Sequence, residues 1–259
     1  MSETPLAGSA AGAPPAGGGP AAGTGPANPA PVRPAVSVIL VRDGADGLEV
    51  FVQHRVKTMD FAAGMVVYPG GRVDPADVRA AASAGYPDEL IAAHERAWEA
   101  STLAAEGLGG GLADPAAAAA GAGAEAPSFA AVLLACAQRE LGEETGAVID
   151  PAALRPWANW TTPPGRHKRF DTYFYVARGA HTQVRHQTTE ATDSLWMPTA
   201  RILAERSAGR LRLMRPTLTL LMELDSLGSA DAIMGVERVV EPVRPNVPIS
   251  ESDAHRPLD

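Results

Sequence analysis

The chain has 259 residues, of which 46% are hydrophobic, so it is long enough to bury a sizeable core in one large domain or two small ones. Its 22 basic and 30 acidic residues give a net charge of −8 without a long basic run, and this pattern does not favour nucleic-acid binding. The single cysteine, Cys136, excludes an internal disulfide and a cysteine-based zinc site, and no segment approaches about 18 consecutive apolar residues, so we expect no membrane span.

The first 34 residues consist mostly of Ala, Gly and Pro, with one acid, Glu3, and one base, Arg33. Such a segment cannot bury enough apolar surface to offset its ordering entropy, so we predict that 1–34 is disordered. It also lacks the basic start and continuous apolar core of a signal peptide, which leads us to expect a soluble, cytoplasmic protein. Periodicity is lost again from about residue 229, which predicts a C-terminal tail over 229–259.

The region between the predicted disordered segment and the predicted tail begins with β-rich runs separated by turns. Residues 35–42 and 48–55 are rich in β-forming residues and flank a Gly- and Asp-containing turn at 43–47, which predicts a hairpin. A third run, 65–68, leads into a Pro-Gly-Gly turn at 69–71 that would end the strand.

The middle of the chain has helical patterns on both sides of a Gly- and Ala-rich stretch. Residues 78–106 read as helical, and 107–127 read as a flexible loop. Ser128 is a suitable N-cap for a helix that ends at Gly146. Beyond it we predict strands at 157–160, 173–176 and 195–197, a loop at 163–169, and helices at 198–203 and 216–227.

The helix that begins near Ser128 carries three carboxylates on one face. Glu140, Glu143 and Glu144 stand at positions i, i+3 and i+4, which a helix brings together. Hard divalent cations such as Mg²⁺ take carboxylate oxygens as ligands, so the cluster is a candidate metal site. The alternative is a solvated acidic face, although anions near a helix C-terminus are mildly unfavourable.

The segments 70–77 and 139–146 together resemble the signature of the Nudix hydrolases, which we call the Nudix box. Gly71 takes the position of the opening glycine and Asp77 that of the first acid, where Glu is usual. Arg139 begins the second part of the signature, and Gly146 takes the position of the glycine near its end. The spacer between the parts, 78–138, holds 61 residues instead of the seven usual in the family.

This resemblance implies a Nudix α/β/α sandwich with a mixed β-sheet. The folded domain would span 35–228, with a helical and flexible insertion at 78–127 inside the box and its flexible part at 107–127. It also implies a metal-dependent diphosphatase that uses Mg²⁺ or Mn²⁺ and acts on a small nucleotide substrate. The sequence indicates no nucleic-acid or membrane partner and leaves a homodimer open.

The resemblance assigns roles to the box residues. It implies that Glu140, Glu143 and Glu144 bind metal together with the carbonyl of Gly70, and that Arg139 orients these glutamates by pairing with Asp77. The alternative for Arg139 is an exposed pair with Glu143 four residues later. Candidates for the general base are Glu140, Glu144 and Glu190, and Glu190 is also a candidate metal ligand; the alternative for Glu190 is an exposed loop acid.

A dense basic group and the lead-in to the box bear on the substrate. Arg166, Lys168 and Arg169 with neighbouring His167, and Arg55 upstream, could hold phosphates by charge-assisted hydrogen bonds, or be solvated loop charges. The spacing from Arg55 through Gly64 to an aromatic-Pro-Gly-Gly turn, and the run 157–163, resemble the coenzyme A diphosphatases, above all the branch containing the mammalian peroxisomal enzyme.

This second resemblance makes coenzyme A or acyl-coenzyme A the first substrate candidate, with ADP-ribose, NADH or another nucleotide diphosphate as the alternative. A non-catalytic nucleotide-sensing module is a rival of another class, but it would not need all three box glutamates. An assembly protein that uses the Ala-rich stretch as a partner helix is disfavoured by the Gly content of 107–127.

Overall fold

The computed structural model of the chain describes residues 30–56, 62, 64–107, 126–179 and 191–245. Within this part of the chain, eight strands form one mixed sheet. The strands are β1 (Val32–Gly44), β2 (Gly47–Arg55), β3 (Val66–Val67), β4 (Gly70–Arg72), β5 (Arg155–Thr161), β6 (Arg169–Arg178), β7 (Ala191–Pro198) and β8 (Pro242–Val243).

Helices flank the sheet on both sides. They are α1 (Pro75–Ser83), α2 (Asp88–Ala97), α3 (Thr102–Glu106), α4 (Phe129–Thr145), α5 (Thr199–Ser207), α6 (Arg215–Leu227) and α7 (Ala230–Met234), with a 3₁₀ turn at Pro151–Ala153. Among the described helices, none combines the length and the apolar character needed to cross a membrane.

The sheet is mixed because β1 and β6 run parallel while their other neighbours run antiparallel. Its order is β3-β2-β1-β6-β5-β8, with β4 paired to β1 and β7 paired to β2. The predicted hairpin is confirmed, since β1 and β2 meet across the turn with Gly44 opposite Gly47.

Alternate residues of β1 enter two different cores, as the period of two in a strand requires. Val36, Val38 and Leu40 pack in the cluster that includes α4, whereas Ile39 and Val41 pack with α5 and α6 on the other face. The predicted α/β/α sandwich with a mixed sheet is therefore confirmed.

Helix α4 has the ends that its sequence predicts. The Ser128 hydroxyl accepts a hydrogen bond from the Ala131 amide at 3.3 Å, and Gly146 ends the helix with a left-handed φ of 69°. Its residues 130–137 are buried, Cys136 among them. The helix is thus fixed at both ends, and its box glutamates lie in the last two turns.

The helical pattern predicted for 78–106 is divided into three helices. The first begins at Pro75 and ends before Gly85, whose φ is +62°, and Pro87 precedes α2. Proline and a left-handed glycine both interrupt a helix, so one long helix is excluded. Residues 108–125, most of the predicted flexible loop, lie outside the described residues.

Ordered structure extends further at both ends than the sequence patterns predict. Strand β1 begins at Val32, within the segment predicted to be disordered, and α7 and β8 lie within the predicted tail. Arg238 holds that segment to the body: its guanidinium donates to the Trp157 carbonyl at 2.8 Å, stacks 3.9 Å from the indole centroid and pairs with Glu223. The segment is held by polar and cation–π contacts of one arginine, and such contacts do not produce a periodic pattern of apolar residues in the sequence.

Candidate active site

The Pro-Gly-Gly turn and α4 meet across the insertion. The Gly70 amide donates a hydrogen bond to Glu144 Oε2 at 2.9 Å, and a Cβ on Gly71 would lie 2.0 Å from Glu140 Oε1. The prediction that these two parts of the box adjoin despite 61 intervening residues is confirmed. Position 71 must lack a side chain for the Glu140 carboxylate to lie where it does.

Strand β4 sets the position of the turn against the sheet. Gly71 pairs with Val36 of β1 and Gly70 with Ser37. Gly70 has a φ of +151°, and a Cβ there would lie 2.2 Å from the Val36 carbonyl oxygen. Both the backbone angle and the close approach require glycine at position 70.

Asp77 and Arg139 form the link that the resemblance implies. Arg139 Nε and Nη2 donate to the two oxygens of Asp77 at 2.7 and 2.9 Å, and the Asp77 side chain is only 1% exposed. Asp77 also accepts from the Asp74 amide at 2.8 Å and so closes the capping box of α1. The hydrogen bond with Asp77 is the main cause that raises the pKa of Arg139, which keeps the guanidinium charged.

The other end of the guanidinium contacts the metal-ligand candidates. Arg139 Nη1 donates to Glu140 at 2.9 Å and to Glu143 at 3.0 Å, while Nη2 also reaches the Arg72 carbonyl at 3.2 Å. The two alternatives that the sequence allows for Arg139 therefore coexist. The side chain joins Asp77, the buried first acid of the box, to two glutamates of α4.

The three glutamates differ in their exposure to solvent. Glu144 is buried against the turn, Glu140 is largely buried with 12% of its side chain exposed, and Glu143 is 63% exposed. Burial is the main cause that raises the pKa of Glu140, and the charge of Arg139 opposes it. The cluster thus grades from a buried carboxylate at the turn to a solvated one at the helix surface.

The donor chemistry fits a hard divalent cation, because the face of α4 and the adjoining turn offer only oxygen ligands. In the described ranges, however, no three His, Cys, Asp or Glu side chains converge closely enough to enclose an ion. Arg139 Nη1 binds both Glu140 and Glu143, and Glu144 accepts from the Gly70 amide. Glu190, the remaining ligand and base candidate, lies outside the described residues.

A cleft of about 450 Å³ opens in front of Glu140 and Arg139. Lys168 and Arg169 line it, so two of the predicted phosphate-binding residues share a cleft with a box glutamate. Arg55 ends β2 and Arg166 lies in the loop before β6, and neither is among the described residues of the wall. Its lining is Ala30, Pro31, Arg33, Arg72, Asp74, Arg139, Glu140, His167, Lys168, Arg169 and Phe170.

Arg33 and Arg72 are cleft residues that the sequence patterns do not single out. Arg33 stands in the Ala- and Pro-rich start of the chain, and Arg72 lies inside the box at a position without a motif role. The pairing of β1 with β4 and β6 brings both to the cleft. The available signal was that Arg33 is the lone base of its segment.

Cys136 lies behind the ion pair and has no access to the cleft. Its thiol is buried, and Arg139 Nη2 approaches its sulfur at 3.7 Å. Burial raises the pKa of the thiol well above its usual value, so it stays protonated at neutral pH. This environment is that of a structural cysteine.

Comparisons with known proteins agree on the type of domain. Residues 130–218 match the family model described as NUDIX domain. The crystal structure of a NUDIX hydrolase from Alicyclobacillus acidocaldarius is 23% identical, covers 81% of this chain and 98% of that one, and superimposes with a TM-score of 0.59. This likeness concerns the fold.

Another structural match is more distant. The NUDIX domain of Shewanella oneidensis NrtR, solved in complex with ADP ribose, is 16% identical over 76% of this chain and 88% of that one, with a TM-score of 0.43. At that score it carries no argument about the site. Among curated proteins, none matches this sequence.

Proposed function

We propose that the chain is a metal-dependent hydrolase that cleaves the diphosphate bond of a nucleoside-diphosphate-linked substrate, because residues 130–218 match the NUDIX domain model and the fold is like that of a NUDIX hydrolase. The domain supports a hydrolase that acts on pyrophosphate bonds. Our first substrate candidate is coenzyme A or acyl-coenzyme A, and the alternative is ADP-ribose, NADH or another nucleotide diphosphate.

The observation that carries the proposal is the contact between the glycine turn and α4. It places Gly70 on Glu144 and Gly71 against Glu140, at the edge of a cleft lined by Lys168 and Arg169. Carboxylates to bind a cation and bases to bind phosphate are therefore adjacent. A solvated acidic face would require neither the two glycines nor the buried pair behind them.

A diphosphate bridge resists attack because its oxygens are negative, so its hydrolysis needs charge neutralisation, positioning and an activated water. We assign metal binding to Glu140, Glu143, Glu144, Glu190 and the Gly70 carbonyl. A bound Mg²⁺ or Mn²⁺ would supply positive charge to the diphosphate and lower the pKa of water. Hydrolases with this domain generally need divalent cations.

The protein side chains would position the reacting groups. Arg139, held by buried Asp77, fixes the carboxylates of Glu140 and Glu143 at hydrogen-bond distance. Of the described candidates for the general base, Glu140 lines the cleft, whereas Glu144 is buried and accepts from Gly70. This geometry favours Glu140 as the group that takes a proton from water.

The substrate assignment rests on the sequence before and after the box. The Arg55-to-Gly71 spacing and the run 157–163 support the coenzyme A diphosphatases. A nucleotide-sensing module without catalysis would bind in the same cleft but would not need the glutamates for chemistry. Fold alone does not select among these substrates.

The deciding experiment is a hydrolysis panel over coenzyme A, acetyl-coenzyme A, NADH, ADP-ribose and deoxynucleoside triphosphates, with Mg²⁺ or Mn²⁺. Glu143→Gln and Glu144→Gln are the test variants, since each removes one charge and keeps the shape. Glu89→Gln on α2 is the matched control, because Glu89 is exposed and outside the cleft.

We expect turnover of coenzyme A or its thioester by the wild type and by Glu89→Gln, and a loss of kcat of at least about a hundredfold in both test variants. Turnover that is unchanged in both test variants, or turnover of no panel member, would refute the catalytic proposal. Activity on ADP-ribose without activity on coenzyme A would reject only the substrate assignment.

A further inference from the structure

We propose that Arg33 and Arg72 bind a phosphomonoester that the substrate carries in addition to its diphosphate. This inference rests on the proposed function and specifies its substrate class: a nucleoside diphosphate with a further terminal phosphate on the nucleoside side. The two arginines would thus decide between phosphorylated and unphosphorylated versions of one substrate.

The strand pairing puts the two side chains on the same face of the sheet. Ala35 of β1 lies opposite Arg72 of β4, so the side chains of this pair share a face. Arg33 precedes Ala35 by two residues and shares that face because strand side chains alternate. The backbones of such diagonal neighbours lie roughly 7 to 8 Å apart, so two long side chains on this face can contact the same group.

This face is not the one that Glu140 contacts. Gly71 is the residue of β4 whose missing side chain leaves room for Glu140, and its neighbour Arg72 projects from the opposite side of the strand. Arg72, Arg33 and Glu140 nevertheless all line the same cleft. A substrate whose diphosphate lies at Glu140 would therefore meet the two arginines with another of its groups.

Two other arginines of the cleft, Arg139 and Arg169, already have hydrogen-bond partners. Arg139 binds Asp77, Glu140 and Glu143, and Arg169 Nε donates to the Thr162 carbonyl at 3.1 Å. Within the described ranges, the guanidinium groups of Arg33 and Arg72 have no hydrogen-bond or ion-pair partner.

The acids of the cleft do not serve these two arginines either. Asp74 accepts from the Ala76 amide at 2.8 Å as the N-cap of α1, and Glu140 is bound by Arg139. In a chain with a net charge of −8, two exposed arginines that face one cleft and pair with no acid of the described residues form a local anion site. Two planar guanidinium forks match the oxygens of a dianionic phosphate.

The backbones that carry both arginines are held in place, which a specific site requires. Arg33 pairs with Phe170 of β6, and the Arg72 carbonyl accepts from Arg139 Nη2 at 3.2 Å. The second contact ties Arg72 directly to the residue that orients Glu140. These contacts fix the backbone positions from which the two side chains reach the cleft.

The test uses two substrate pairs that differ by one phosphate: coenzyme A against 3′-dephospho-coenzyme A, and NADPH against NADH. Each is assayed with the full-length wild type, Arg33→Gln and Arg72→Gln. The control is Arg201→Gln, because Arg201 is an exposed arginine on α5 that does not line the cleft. The two pairs also distinguish a 3′-phosphate from a 2′-phosphate as the bound group.

In at least one pair we expect the wild type to have the lower KM for the phosphorylated member. In each test variant that KM should rise about tenfold, with kcat and the KM of the unphosphorylated member unchanged, since a charge-assisted contact is lost. The Arg201→Gln variant should behave as the wild type. An equal rise of KM for both members, or no rise for either, would overturn the inference.

A binding measurement separates this inference from the proposed activity. Calorimetric titration with 3′,5′-ADP and with 5′-AMP needs no turnover, and we expect tighter binding of 3′,5′-ADP by the wild type but not by either variant. Selective binding without hydrolysis of any substrate would refute the proposed function and retain the site. Hydrolysis without any selectivity for the additional phosphate would do the reverse.

Discussion

Replacing Asp77 by Asn tests whether the buried ion pair holds the two halves of the Nudix box together. The carboxylate of Asp77 is 1% exposed and accepts three hydrogen bonds, two from Arg139 and one from the Asp74 amide. Asn keeps the size of the side chain and one acceptor oxygen but removes the charge. Its NH₂ group would face an N–H donor that Asp77 now accepts from. The substitution therefore leaves Arg139 without its main partner.

The magnitude follows from the burial of the two partners. Breaking a buried ion pair by removing one member costs about 3 to 5 kcal/mol. Arg139 is 26% exposed and retains Glu140 and Glu143, which lowers the expected loss to about 2 to 3 kcal/mol. For a domain of this size that loss corresponds to a fall in Tm of roughly 5 to 10 °C.

The assay is urea unfolding followed by tryptophan fluorescence, since Trp98 and Trp157 are both buried. The matched control is Asp74→Asn, which also replaces an acid of the capping box but keeps a good N-cap residue. We expect the control to stay within about 0.5 kcal/mol of the wild type. A double-mutant cycle with Arg139→Gln then isolates the pair itself.

A second readout is catalytic. Without Asp77, Arg139 would no longer hold Glu140 and Glu143 at fixed positions, so kcat should fall along with stability. If Asp77→Asn unfolds within about 0.5 kcal/mol of the wild type, or if the cycle gives no coupling between the two residues, the ion pair does not hold the box together and this reasoning is refuted.

Two further predictions concern the glycine turn and a buried histidine. Gly70→Ala should cost more than about 2 kcal/mol in urea unfolding, because its Cβ would meet the backbone of Val36. Gly71→Ala should mainly lower kcat, because its Cβ would displace the carboxylate at the end of the Glu140 side chain. Equal losses of stability in the two variants would contradict this. Burial lowers the pKa of His94 from 6.5 to about 4, so on acidification the unfolded chain binds a proton at this residue before the folded chain does. The free energy of unfolding should therefore be unaffected by His94 above pH 6.5 and should fall by about 3 kcal/mol as the pH drops to 4. His94→Gln should flatten that decline in a pH series of Tm, and an unchanged slope would contradict the assignment.

The sequence alone was sufficient for features set by neighbouring residues. The hairpin around 43–47 follows from β-rich runs on both sides of a turn, and α4 follows from Ser128 and Gly146 at its ends. The shared face of the box glutamates follows from the pitch of a helix. These features depend on backbone preferences and spacings within a few residues, which the sequence displays directly.

Other elements could not be predicted because their stabilising contacts come from distant parts of the chain. Gly85 and Pro87, which separate α1 from α2, are present in the sequence, but the helical pattern from 78 to 106 did not show that it comprises three separate helices. The segment around Arg238 is held by Trp157 and Glu223, so its order depends on a surface that forms only on folding.

The tertiary structure also decided what the candidate site contains. The sequence resemblance placed Asp77 with Arg139, but only the fold shows that the same guanidinium also binds Glu140 and Glu143. Sequence spacing determined which residue types stand on one helix face. The side chains that share the cleft, including Arg33 from the start of β1, were decided by strand register, because register depends on the burial of the whole sheet and not on any local run of residues.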